Sequence, residues 1–170
     1  GGELPVEEWE RRHRSLTRML WVTAAILAAF SYLSGYHDAH ALLHVAVLLP
    51  LALAAASRKL SRLMRTLICS LGLLTGAALG VHIAGGVIEA HFAFFVVVVL
   101  LTVYEDWVVF ALAVGYVLVH HGVLGMFAAD QVFAQPDQYA HPWRWAAIHA
   151  IFVAAAGVAG LITWRLNEDV

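Results

Sequence analysis

WRWAAIHAIFVAAAGVAGLITWRL, residues 143–166, decides the fold. Between Trp145 and Trp164 its polar side chains are His149 and Thr163, and the run has the length, about 20 residues, that one helix needs to cross the hydrocarbon of a bilayer. The rest of the chain agrees. Over 170 residues it is 62% hydrophobic and 13% charged, with a mean hydropathy of +0.78, where soluble domains carry about a quarter charged residues. Further apolar stretches fall at 17–34, 39–56, 63–84, 88–103 and 107–127. Backbone exposed to lipid must satisfy its own hydrogen bonds, and no alternating strand pattern is present, so the expectation is an all-α polytopic membrane protein of six transmembrane helices.

Basic residues orient the bundle. Arg11, Arg12, Arg14 and Arg18 precede the first span, Arg58, Lys59, Arg62 and Arg65 fill the second connection, and Arg165 ends the last span, which leaves Arg144 alone on the other side. The positive-inside rule puts both termini in the cytoplasm. Residues 1–16 then read as a cytoplasmic segment, 17–166 as the transmembrane domain and 167–170 as the start of a signalling helix continuing beyond Val170. Gly1-Gly2 reads as a cloning remnant, and the first span as retained rather than cleaved. A net charge of −2, with the basic residues spent on a cytoplasmic collar, argues against a nucleic-acid partner and leaves membrane lipid as the surrounding one. Cys69 stands alone, so there is no disulfide framework.

The ten histidines are distributed unevenly. His13 sits in the polar N-terminal stretch, whereas His37, His40, His44, His82, His91, His120, His121, His141 and His149 all lie at or near the outward ends of the spans. His37, His40 and His44 share one face of the second helix, where the first two suit an interfacial cap and His40 and His44 have the i, i+4 spacing of a chelating pair. His44 and His149 lie deeper, about 9 Å inside their helices at 1.5 Å per residue. An ionisable side chain at that depth marks a site by default. His120 and His121 diverge by about 100° on a helix, so only one of them can face a given centre. The connection from Ala128 to Pro142, carrying Asp130, Asp137 and His141, is long enough to be functional.

The ligand type alone leaves the cofactor open among haem iron, copper, zinc and non-haem iron. Haem b is favoured because no thiolate, and no carboxylate but Glu89, lies at ligand depth, and because Phe92, Phe94, Phe95 and Tyr116 suit a flat macrocycle. The expected metal ligands are drawn from His44, His91, His120 and His149, two of them axial, with His82, His121 and Glu89 orienting them and Phe95 and Tyr116 lining the site. A copper or zinc centre on the same histidines is the alternative, and a non-haem iron oxygenase the third reading. Gly72, Gly76 and Gly80, four apart, read as a helix-packing ladder.

Residues 88–168 carry linked motifs. HFAFF at 91–95, LTVYEDW at 101–107, VHHGVLG at 119–125 and WRWAAIHAIFV at 143–153 together resemble the membrane input region of bacterial signalling proteins that feed diguanylate cyclase, chemotaxis-transducer or histidine-kinase modules. The resemblance implies a non-enzymatic sensor in the bacterial inner membrane, working as a homodimer on a cytoplasmic output domain. Combined with the haem reading, it makes redox state, oxygen or another diatomic gas the expected signal. A reporter fused after Val170 should be cytoplasmic and a protease site at Gln135 should be cut only from outside; cutting from the cytoplasmic face would reverse the whole assignment.

Overall fold

The computed structural model describes residues 4–36 and 39–168, with the backbone alone given for residues 39–42, 165, 167 and 168. His37 therefore lies outside the described residues. Helices account for the regular structure: α1 Val6–Leu33, α2 Ala39–Ala46, α3 Leu48–Ala56, α4 Arg62–Ile83, α5 Ile88–Leu101, α6 Trp107–Val119, α7 Gly125–Phe127, α8 Ala129–Val132, α9 Pro136–Ala140 and α10 Pro142–Glu168. A 3-10 turn, Thr102–Tyr104, follows α5, and a π-turn, His120–Leu124, joins α6 to α7.

Among the described residues, four helical segments are long and apolar enough to cross a membrane: Val6–Leu33, Arg62–Ile83, Trp107–Phe127 and Pro142–Trp164. The other two expected spans are shorter helices, Leu43–Ala56 and Ile88–Tyr104. Pro50 interrupts the second expected span. It has no N–H to give the Ala46 carbonyl, and the helix breaks at Val47 into α2 and α3. At the end of α5 the chain tightens to a 3-10 turn and reverses at Glu105, whose φ of 55° is left-handed.

α4 is the central helix, packed against α1, α3, α5 and α6. Its glycine ladder is a packing surface for α1: a Cβ on Gly72 would stand 2.7 Å from Leu20, and one on Gly76 2.7 Å from Thr23. The matching face of α1 buries Trp9, His13, Leu16, Leu20, Ala24 and Leu27 at helical spacing. α1 runs unbroken through residue 16, so the polar N-terminal stretch is the first part of this helix. His13 is buried there. Its Nε2–H donates to the Ala55 carbonyl at 3.0 Å, its Nδ1 accepts from Tyr104 at 2.7 Å, and Trp9 stacks on it at 4.7 Å. Arg12 pairs with Glu105, and Arg65 with Glu10 at 2.8 Å, so one end of the bundle is tied by charged and buried polar contacts.

The opposite end is closed differently. The connection from Ala128 folds into α8 and α9 and sends Val132 and Phe133 into the interior, each 1% exposed. The backbone of Phe133 lies where a Cβ on Gly86 would come within 2.7 Å, and Gly86 has φ 74°. Gly85, with φ 68°, has open space around it. Gly85→Ala is expected to cost about 1 kcal/mol from backbone strain alone, and Gly86→Ala about 2–4 kcal/mol because it also displaces Phe133. Thermal unfolding in detergent micelles measures both; equal losses would mean that the close approach contributes nothing.

Candidate metal centre

Three elements that meet beneath Phe133 each contribute one histidine. His91 stands in the first turn of α5, His121 in the π-turn and His149 two turns into α10. In each case Nδ1 lies against the carbonyl four residues earlier in its own helix: Val87 at 3.0 Å, Val117 at 2.9 Å and Trp145 at 2.8 Å. A carbonyl only accepts, so Nδ1 carries the proton and donates it. Nε2 is left as a lone pair, which is the tautomer a metal ligand requires.

The three rings face one another. Their centroids are 5.2 Å apart for His91 and His121, 5.0 Å for His91 and His149, and 4.7 Å for His121 and His149. One ring nitrogen of each lies within 4.8 Å of the other two. His91 and His121 are buried, His149 half-buried, and neither His91 Nε2 nor His121 Nε2 has a hydrogen-bond partner within bonding distance. The Val132 backbone offers His91 a weaker contact. Phe94 lies 5.3 Å from the His121 ring and Phe133 6.0 Å from it. Buried without a hydrogen-bond partner, His91 Nε2 and His121 Nε2 lose hydration, at about 1–3 kcal/mol each. A cation on the three nitrogens removes that cost.

The π-turn decides which of the adjacent histidines faces inward. Residue 121 turns to the centre, and His120 lies flat on Tyr116, centroids 5.7 Å apart and 10° between planes. Tyr116 in turn donates to Thr75 at 3.3 Å. Gly122 is obligatory beside it, because a Cβ would stand 2.4 Å from the Trp143 ring. The sequence expectation took His120 as a ligand and His121 as its support; the structure groups His121, rather than His120, with His91 and His149. One-residue wide turns of this kind leave no mark in the hydrophobic period.

The remaining candidates lie elsewhere. His44 and His82 meet edge-on at 5.0 Å between α2 and α4, with Ser31 Oγ 3.1 Å from His44 Nδ1 and Tyr36 5.3 Å from its ring. His44 is therefore paired with His82 and apart from the three-histidine group, so the expectation of one centre becomes two clusters. Glu89 is exposed, Phe95 packs on Phe92 at 6.4 Å, and His141 is exposed. The closure by Val132 and Phe133 was missed in the sequence, although two apolar residues inside a polar connection were its signal.

The fold and its imidazole group define a multi-pass helical membrane region with a buried candidate metal centre. Over 180 aligned positions the chain is 32% identical to Transducer protein Htr8 of Halobacterium salinarum, an alignment that takes in 99% of this chain and 28% of the relative. The chain thus spans little more than a quarter of that transducer. No family profile and no solved structure matches the chain.

Carbethoxylation with diethyl pyrocarbonate, read by mass spectrometry, should modify exposed His141 and spare His91 and His121. Phe133→Ala should raise labelling at His121. Equal labelling of His121 with and without the Phe133 ring would show that this residue does not close the site.

Proposed function

We propose that this chain is the membrane-embedded sensory region of a longer signalling protein, and that a transition-metal ion held by His91, His121 and His149 is its input. The observation that carries the reading is that the three rings, each held through Nδ1 by a backbone carbonyl, bring one nitrogen apiece within 4.8 Å of the other two. Zinc and copper both accept imidazole nitrogen at about 2.0–2.1 Å, and closing the present separations onto one ion requires only small ring movements.

The signal leaves through α10. This helix holds His149 near one end and runs to Glu168 at the other, a rise of about 28 Å. An ion that draws α10 toward α5 and the π-turn binds one arrangement of these helices better than another, and that difference shifts the population of the far end. In this reading the six apolar segments all span the membrane, both termini are cytoplasmic and the centre lies toward the outer face. Separation of the Arg12–Glu105 and Arg65–Glu10 ties from the histidine end by the length of α5 is consistent with that arrangement. A homodimer acting on a cytoplasmic output module, with no catalysis by this region itself, completes the proposal.

Haem b is the second reading. Two axial nitrogens across an iron stand about 4 Å apart, which the 4.8 Å limit on the three nitrogens admits. A macrocycle would have to displace Phe94 and Phe133 from the face of His121. A diatomic gas or a redox change would then be the signal.

Elemental analysis and absorption spectra of the purified protein separate the two. We expect stoichiometric copper or zinc without a Soret band, lost on His91→Ala, His121→Ala or His149→Ala and retained in His120→Ala and His44→Ala. A Soret band in place of metal alone would establish haem, and metal retained in all three single variants would remove the triad from the site.

A further inference from the structure

The triad's charge and coordination number narrow the ion. Its described ligand groups are three neutral imidazoles with no carboxylate or thiolate among them; Glu89 is exposed, and Cys69 lies at the tied end against Thr17. The wall is largely hydrocarbon, Phe94 and Phe133, with the Val132 backbone against His91. The cost of taking an ion into such a medium grows with the square of its charge, so a dication costs about four times as much as a monocation of the same size.

Coordination number points the same way. Zinc takes four ligands in a tetrahedron, and divalent copper prefers a tetragonal set of four or more. No fourth histidine, cysteine, aspartate or glutamate completes the group among the described residues, and His120, whose Nδ1 lies 3.4 Å from His121 Nδ1, is stacked on Tyr116. A divalent ion would have to bring hydroxide or a halide with it, both to fill the fourth position and to offset the buried charge. A monovalent ion content with three nitrogens needs neither.

Resting on the reading of the triad as a metal centre, we infer that its ion is monovalent copper, held by three imidazoles in a near-trigonal arrangement. Zinc enters only as a complex with an anion. The half-buried edge of His149 is the side from which the ion arrives.

The test uses the full chain in lipid nanodiscs, without oxygen and in chloride-free buffer. Copper reduced with ascorbate is offered against the coloured monovalent-copper chelator bathocuproine disulfonate, and zinc is offered separately with a zinc indicator. We expect one copper per chain, an X-ray absorption edge of three-coordinate monovalent copper with imidazole scattering, and zinc binding weaker by about 100-fold or more, a difference of about 2.7 kcal/mol. Adding azide or chloride should strengthen zinc binding and leave copper unchanged. His141→Ala should match the parent protein. Zinc bound as tightly as copper in the anion-free buffer, or copper with four protein ligands, overturns monovalent copper and leaves the metal centre standing. Failure of both ions to bind, or an absorption spectrum without imidazole scattering, overturns the metal centre itself. These competitions and spectra use the unaltered protein, so the outcome does not depend on whether a histidine variant folds.

Discussion

A histidine enclosed by a membrane bundle has two ring nitrogens and no water to serve them, and the way each nitrogen is satisfied governs what the residue can do. At residues 91, 121 and 149 the helix backbone takes the Nδ1 proton through the carbonyl one turn earlier. That bond orients the ring and fixes its tautomer together. His13 makes the opposite use of the same chemistry. Both its nitrogens are engaged, by Tyr104 and by the Ala55 carbonyl, so it joins α1, α3 and the α5–α6 turn and offers nothing further. Two buried histidine sites in one chain are thus distinguished by their hydrogen bonds alone, one structural and one with ligand capacity.

The two ends of the bundle differ in kind for a related reason. At the tied end, charges with long side chains reach partners near the surface, as Arg12 does with Glu105 and the Val103 carbonyl. At the histidine end, closure depends on hydrocarbon, with Phe133 and Val132 brought down by a connection that folds into two short helices. Polar ties hold their geometry while apolar closure tolerates rearrangement, because contacts between hydrocarbon surfaces are non-directional. The end with the candidate centre is closed by such contacts, and α10 presents Ile151, Phe152 and Ile162 outward.

Much of the architecture was legible in the residues. Apolar run length located the long helices, the glycine ladder of α4 packs on α1 as its spacing implied, and His91, His121 and His149 gather while His44 meets His82. What escaped was whatever depends on local departures from ideal helices. Pro50 divides the second segment into α2 and α3 and a 3-10 turn at Thr102–Tyr104 ends the fourth, while four of the six expected spans form long apolar helices among the described residues. The polar look of residues 6–16 concealed a buried stripe, since Arg and Glu on one face of α1 say nothing about Trp9 and His13 on the other. Within the site, the choice between His120 and His121 rested on a wide turn that leaves no mark in the hydrophobic period, and the separation of His44 and His82 from the rest rested on how α2 packs against α1 and α3.

The π-turn places one more residue in that stretch than a regular helix would hold. Register upstream of it is set by α6 against α4 and α10, and register downstream by Gly122 and Gly125 against Trp143, Phe133 and Pro142. The inward place of His121 is therefore written in the number of residues between two packed surfaces as much as in their identity. A chain shortened by one residue there, with every side chain of the centre still present, would form a smoother helix and turn His120 toward His91 and His149.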